Sequence, residues 1–555
     1  MIQYFSFDSE DDSRGNPFLF NFYDGEDHYV FRSIDGVAYF FSQLTGTVEI
    51  WCTNLAYDFN NLIKELSHAI EISYVDSRVI SAKLKGSNIH FKDTLNHWKI
   101  SVSEMGKRIN LPKFDVDIEN IKSEFDKNPK KIIKYCQRDC EITYHFVMSM
   151  KEKYDDMGCH LKSTIGSTSL NYFYSSFWHR PKKEEIISYS EIEFCKKGYY
   201  GGRTEIFYNR PVSGNIQYFD FNSLYPSVMR GTFPALDNRR FVSKPNFENE
   251  GMAEVTVSAP EIDVPYLPCR VEKRGLLFPI GTFQGVYTYF EIRRALELNY
   301  KIKKIHQALE FIGRCQPFSR FVHETYARRM KAKAQKDDLM ATAAKDIMNN
   351  LYGKFCQGNE YTKLFTLEEA KGLKNGDQIF GDFVVRKTKA PYASHTNGIW
   401  ACYTTAYARD LLYSALREVV DRGGLLIYCD TDSIIFESEK PVFTPSDALG
   451  ALKLEGEFSY AHFKLPKLYK LVDKKENFIY KSKGVPRLKA KDFFEDGKAT
   501  FRRPYKLREA LRRNLNPKRT LKLIPNYWEV TSKEVRKTYD KRRVKKDGST
   551  EPVRL

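Results

Sequence analysis

The chain has 555 residues, 42% of them hydrophobic and 14% aromatic, which is too long for one ordinary domain and too apolar for a disordered protein. Lys and Arg number 88 against 71 Asp and Glu, a formal charge of +17, so the expected partner is a polyanion, nucleic acid ahead of an anionic membrane. No apolar run reaches the ~20 residues that span a bilayer, and Met1-Ile2-Gln3-Tyr4 lacks signal-peptide character, so a soluble, intracellular protein is expected. Ten cysteines form no Cys-x-x-Cys pair, and neither zinc nor a disulfide is expected. Cys136 and Cys140, three residues apart, read as buried thiols.

The segment from Tyr4 to Glu10 alternates like a strand, which puts Asp8 and Glu10 on one face. Two such carboxylates suit a divalent cation, although a solvated strand end would also carry them. An apolar strand from Ile50 leads next to a helix start containing Asn54 and Asp58. Further on, Tyr135 and Asp139 stand four apart and share a helical face.

Taken together, these segments resemble the three-part signature of DEDDy-type 3′→5′ proofreading exonucleases. The resemblance implies that Asp8, Glu10, Asp58 and Asp139 hold or support two metals, Tyr135 orients the water, and Asn54 contacts the frayed primer end. A single-strand-binding motif of the same family is matched loosely by Ser101 to Met105.

The middle of the chain opens with Tyr218 to Ser227, a strand ending at Asp220 that breaks into a turn at Pro226. A helix-forming stretch from Tyr326 to Ala344 then leads into Lys345, Asn349 and Tyr352, which fall on one face suited to a nucleoside triphosphate. Gly353 is read as the helix stop. Leu425 to Tyr428 and Ile434 to Phe436 form a hairpin with Asp430 and Asp432 at its tip. Such acids repel one another unless a cation sits between them.

These three segments resemble motifs A, B and C of family B DNA polymerases. By that resemblance Asp220, Phe221 and Asp432 hold two Mg²⁺ ions, for which Mn²⁺ can substitute, and Asp430 supports the site. Tyr225 excludes a ribose 2′-hydroxyl, Lys345 grips the triphosphate together with Lys331 or Lys333, and Asn349 and Tyr352 line the nascent pair. Asn350 departs from the Ser usual there. Tyr199, Gly201 and Gly202 resemble the Tyr-x-Gly-Gly linker, and Lys467 with Tyr469 the Lys-x-Tyr primer-terminus motif.

The last 55 residues hold 18 Lys and Arg against 6 Asp and Glu. The run from Lys533 to Lys546 reads as a flexible basic arm on phosphates or, alternatively, as a solvated face.

The expected fold is multidomain α/β and α+β: an RNase-H-like exonuclease (1–165), then linker and palm (166–259), fingers (326–355), palm (396–495) and thumb with basic arm (496–555). Candidate insertions at 260–325, with a helix from Glu291 to Ile305, and at 356–395, with hairpin strands punctuated by Gly372, Gly376 and Gly381, resemble those of the protein-primed branch found in phages, adenoviruses and linear plasmids. An exonuclease acid as early as residue 8 resembles that branch too. The resemblance implies a monomeric, strand-displacing polymerase in the host cytoplasm. It would take DNA template and primer, dNTPs and a terminal protein as primer. An oligonucleotide-primed viral relative and a catalytically silent DNA-binding protein are the alternatives.

Overall fold

The computed structural model describes residues 2–12, 16–66, 69–75, 78–380, 383–504, 528–535 and 539–555. Residues 505–527, and Arg536 and Lys537 of the basic run, lie outside that description, as does Gly381.

The amino-terminal unit is a mixed sheet. Its strands are β1 (Ile2–Asp11), β2 (Pro17–Tyr23), β3 (His28–Phe31), β4 (Thr47–Cys52), β5 (Ile70–Val75), β6 (Arg78–Leu84) and β7 (Ile89–Asp93), with helix α1 (Leu55–Leu66) after β4. β4 runs parallel to β1 and to β7, while β2 is antiparallel to β1. Strand alternation sends Phe5 and Phe7 into an aromatic core, where Phe7 stacks on Phe22 at 4.5 Å. The opposite face of β1, with Ser6, Asp8 and Glu10, is covered by the 28-residue helix α2 (Pro129–Asp156). Asn128 caps α2, accepting from Lys131 N, and Pro129 sits in its first turn. Ile132, Tyr135, Cys136, Asp139, Cys140, Thr143, Phe146 and Val147 recur at helical spacing and are buried.

The central unit is a seven-stranded antiparallel sheet built from β8 (Thr204–Ile206), β9 (Val212–Phe221) and strands from later in the chain. Between them come β10 (Arg239–Val242), β11 (Glu250–Ala259), β12 (Gly281–Thr288), α3 (Tyr289–Glu297) and β13 (Lys301–Phe311). These strands make a separate sheet in the order β10-β13-β11-β12. The first insertion therefore draws on strands from residue 239 onward. The helix expected from Glu291 to Ile305 stops at Glu297: Asn299 adopts φ 65° and Lys301–Phe311 pairs with β11.

The expected fingers helix is two helices, α4 (Ser319–Ala334) and α5 (Asp338–Asn350), parted at Lys336 with φ 58°. Asp337 caps α5. α5 ends at Asn350, so Gly353 lies in the following 3₁₀ turn rather than stopping the α-helix.

The second insertion forms β14 (Glu360–Thr366), β15 (Gln378–Phe380) and β16 (Phe383–Lys389). β14 joins β5 through Thr362↔Tyr74 and Lys363↔Ser73, extending the amino-terminal sheet to ten strands. Lys363–Glu71 at 3.1 Å and Lys85–Glu369 at 2.6 Å flank this seam. Helix α6 (Ile399–Asp421) is buried along most of its length. It precedes β17 (Leu425–Asp430), β18 (Ser433–Glu437), β19 (Leu452–Leu465), β20 (Leu468–Asp473) and β21 (Phe478–Ser482), and the central sheet runs β21-β20-β19-β9-β18-β17-β8. No helix among the described residues is long and apolar enough to cross a membrane.

The end of the chain departs from the flexible-arm expectation. After β22 (Lys498–Pro504) and its partner β23 (Trp528–Glu534), a hairpin of β24 (Arg542–Val544) and β25 (Thr550–Pro552) packs on β8. Arg542 is 2% exposed; its Nε donates to Thr550 Oγ1 at 2.8 Å and its Nη2 to Asp263 O at 2.8 Å. Tyr539 Oη accepts from Ile206 N, and Thr550 Oγ1 donates to Ile206 O. Glu205, fully buried, lies 2.6 Å from Arg203 Nη2 and 3.6 Å from Arg542 Nη1. One carboxylate thus serves two buried guanidinium groups. Removing it strands two charges, whereas removing Arg542 leaves a balanced pair. Glu205→Gln should therefore cost about 3–5 kcal/mol and Arg542→Met distinctly less, as read by denaturant titration. Equal losses would contradict this shared-charge arrangement.

Candidate active sites

The structure brings together the acids expected at each of two sites. In the central sheet, Asp220 is the last-but-one residue of β9 and pairs directly with Ser433 of β18. Asp430 pairs with Ser433 across the hairpin, leaving Thr431 and Asp432 as a two-residue turn. Phe221 N donates to Asp432 O at 2.7 Å, which brings the backbone of Phe221 against the turn. Thr431 has φ 67°, a left-handed conformation costly for a β-branched residue by about 1–3 kcal/mol. It is held there by Arg203 O, which accepts from its amide at 2.7 Å. Gly202 is required beside it: a Cβ at that position would lie 2.7 Å from Thr431 Cγ2. The glycine expected to touch DNA thus seats the acidic turn, while a Cβ on Gly201 would meet open space.

Thr204 Oγ1 donates to Asp430 Oδ1 at 3.0 Å, and Lys467 Nζ reaches both Asp430 oxygens at 2.8 and 2.6 Å. Tyr469 is buried against Phe463 and Tyr428, with centroids 4.7 and 5.9 Å away. Tyr199 lies half-buried, and its carbonyl accepts from Arg270 Nη2.

A cavity of about 730 Å³ opens above the acids. Asp220, Asp432 and Glu455 form its acidic side, and Arg329, Lys333, Lys345 and Lys453 supply cations. Lys333, and not Lys331, lines it. Asn349, Tyr225 and Tyr352 complete the wall, the two rings stacked at 4.6 Å and 23°. Sequence reasoning missed Arg329, one helical turn before Lys333 on α4; its Nη1 donates to Ser223 Oγ. Burial, then the charges of Asp432 and Glu455, push the Asp220 carboxyl up to about 7, against the pull of Lys453 and Lys345. Burial also raises Asp432. Carboxylates that resist ionisation beside one another are a donor set for divalent cations.

In the amino-terminal unit, Asp8 and Glu10 project from β1 toward α2, where Tyr135 and Asp139 face them. Asp58 Oδ1 accepts from Ser9 N and Ser9 Oγ at 3.0 and 2.8 Å. Asn54 is exposed at the start of α1, its amide donating to Asp93 Oδ1. Lys113 is the residue sequence reasoning missed. Its ammonium pairs with Asp139 Oδ2 and stands 4.5 Å over the Tyr135 ring. Asp139 Oδ1 is buried with no hydrogen-bond partner. Burial raises all four carboxyls: Asp8 to about 7, and Glu10, Asp58 and Asp139 in the same direction. An orphaned oxygen among four crowded acids with one ammonium between them fits a cation site.

The two sites are mechanically linked. Near the far end of α2, Lys153 pairs with the α5 cap Asp337 at 3.1 Å, and Arg328 of α4 donates to Asp156 O.

The raised carboxyls fix the sign of the pH dependence. A folded protein that holds Asp8 protonated to about 7, where the unfolded chain releases the proton near 3.8, binds more protons than its unfolded form across that window. Its metal-free stability therefore falls as pH rises from 4 to 7. Asp8→Asn should flatten that fall and raise the melting temperature at pH 8 in chelator. An unaltered slope would show that Asp8 ionises freely in the folded chain.

The pattern of the family described as DNA polymerase type B, organellar and viral, matches residues 112–402, just over half of the chain. The DNA-directed DNA polymerase of Enterobacteria phage PRD1 is 26% identical over 473 residues, 82% of this chain and 79% of that one. A probable DNA polymerase of Ascobolus immersus is 28% identical over 372 residues, 61% of this chain; the chain spans 30% of the length of this fungal relative and of one from Podospora anserina. The fold is that of phi29 DNA polymerase, solved with primer-template DNA and incoming nucleotide: TM-score 0.76 at 16% identity, covering 96% of this chain and 100% of that one. With the acids, the lysine-walled cavity and this match in place, the chain belongs to the organellar and viral family of type B DNA polymerases.

Proposed function

We propose that the chain is a template-directed DNA polymerase with a separate 3′→5′ proofreading exonuclease. The observation that carries this reading is the 730 Å³ cavity, in which a pair of strand-borne acids faces a cationic helix wall. Arg329, Lys333 and Lys345 bind the negative charge of a triphosphate, and their helices orient it along the cavity. Tyr225, stacked on Tyr352, forms a rigid floor that leaves no room for a 2′-hydroxyl. Lys467, fixed on Asp430, stands where a primer end meets the acids. Two Mg²⁺ or Mn²⁺ ions held by Asp220, Asp432 and the backbone at Phe221 would supply charge at the attacking and leaving oxygens. On the amino-terminal side Asp8, Glu10, Asp58 and Asp139 would hold a second pair, and Tyr135, set by Lys113, orients the attacking water.

Asp432→Ala should abolish primer extension, by at least about 10³-fold, and leave degradation of single-stranded DNA largely intact. Asp8→Ala with Glu10→Ala should do the reverse. Extension by Asp432→Ala would sink the assignment.

Strand displacement and protein priming are the finer reading. The second insertion is hydrogen-bonded onto the sheet that carries the proofreading acids. A cavity of about 1180 Å³ lies between that sheet, α5 and the insertion's base, with Arg78, Arg108, Lys345 and Lys354 on its walls. A single template strand fits this passage and a duplex does not, so the complementary strand is peeled away at its mouth. The four-stranded first insertion adds a second surface beside the palm for a protein whose hydroxyl replaces the primer 3′-hydroxyl in the same in-line attack. Incubation with the terminal protein of the same replicon, Mn²⁺ and one labelled dNTP should yield a protease-sensitive protein–nucleotide adduct. Normal extension of oligonucleotide primers without any adduct would leave the oligonucleotide-primed reading.

A further inference from the structure

Cys136 has no part in the chemistry above, yet it adjoins the proofreading acids. It follows Tyr135 on α2 and precedes Asp139 by three residues, so it turns toward the underside of β1. There it is fully buried, with Sγ 3.7 Å from the Asp8 carbonyl oxygen. Sγ, a carboxylate oxygen of Asp8 and one of Glu10 all lie within 4.8 Å of one another. Asp139, only 5% exposed, faces the same group of acids and brings the unpartnered Oδ1. A thiol, two carboxylates and an unsatisfied carboxylate oxygen thus converge on one buried point.

We propose that Cys136 is a metal ligand, making the proofreading site a mixed oxygen–sulfur centre that takes a borderline-soft divalent ion such as Zn²⁺, Co²⁺ or Cd²⁺ alongside Asp8 and Glu10. The inference rests on the reading of these acids as metal-holding. On binding, the thiol proton passes to solvent and a metal–sulfur bond replaces S–H, with no change of oxidation state. Ligands around a tetrahedral ion with bonds of about 2.0–2.3 Å stand roughly 3.5 Å apart, so the cluster closes by about an ångström. Thiolate donors favour zinc-like ions, whereas sites built from oxygen favour magnesium and manganese. The two sites of this chain therefore differ in kind. Cys429 adjoins Asp430 in sequence, but strand alternation sends it to the opposite face of β17, into the core. Cys140, one turn beyond Cys136, donates to Asn21 O at 3.3 Å and is engaged elsewhere.

The test uses the full chain, reduced and metal-free, titrated with Co²⁺ and followed by near-ultraviolet thiolate charge-transfer absorption. Cd²⁺ affinity is measured in parallel by calorimetry. The band should form in the native chain and in Asp432→Asn, vanish in Cys136→Val and Cys136→Ser, and be displaced by Zn²⁺. Cd²⁺ should weaken in both cysteine variants by at least the roughly 10–100-fold that even an outer-shell change costs. Two substitutions of different polarity, with melting curves taken without metal, separate loss of a ligand from loss of folding. A band that persists in both variants, or an unchanged Cd²⁺ affinity, overturns the proposal. Mn²⁺ binding followed by electron paramagnetic resonance distinguishes the two levels of failure. Asp8-dependent Mn²⁺ binding without a thiolate band removes Cys136 alone, and no Asp8-dependent ion at all removes the metal reading of the site with it.

Discussion

Ser433 faces Asp220 across two neighbouring antiparallel strands, and the central unit is arranged to keep that pairing. The register between β9 and β18 decides where Asp432 lies relative to Asp220, and a slip of one residue would turn one of the acids into the core. More than two hundred residues separate the partners in sequence, including both insertions and α4 and α5. The register is therefore secured from both sides. β19 pairs with the outer edge of β9, with Lys453 opposite Asp220. β8 pairs with β17, carries Thr204 to Asp430, and is pinned in turn by Tyr539 and Thr550.

Repulsion between the acids shapes the surroundings of both sites. Each site gathers several carboxylates at a place where burial already opposes their ionisation, and each offsets this with ammonium groups from elsewhere in the chain. Lys113 does so in one site, and Lys345, Lys453 and Lys467 in the other. α2 spans roughly 42 Å at 1.5 Å per residue, carrying Tyr135 and Asp139 near one end and Lys153 near the other. Displacement of α5, which bears Lys345 and Asn349, is thus transmitted along one continuous helix toward the hydrolytic acids.

What was legible in the sequence was whatever short-range periodicity controls. Asp8 and Glu10 share a face because strands alternate, Tyr135 and Asp139 because helices repeat every 3.6 residues, and Asp430 with Asp432 because two apolar runs flank a two-residue turn. Lys113 obeys no spacing relative to Asp139 and could be found only by folding. Arg542 looked solvated because charge composition does not show that Glu205, over three hundred residues earlier, awaits it. Lys301 to Phe311 mixes charged and apolar residues without clear alternation, and its pairing with β11, not local preference, makes it a strand. The division between α4 and α5 turns on one left-handed residue, Lys336, in a stretch whose composition favours helix throughout.

The seam between β14 and β5 has a consequence for how the ten-stranded sheet responds to its medium. Two residue pairs hold it in register, and the ion pairs beside it, Lys363–Glu71 and Lys85–Glu369, are partly open to solvent. Mobile ions weaken such pairs while leaving the aromatic core beneath β1 untouched. Ionic strength therefore acts on this junction first. It works as a salt-tuned latch: stiff in dilute buffer, loose in concentrated electrolyte, and free to part without unfolding the strands on either side.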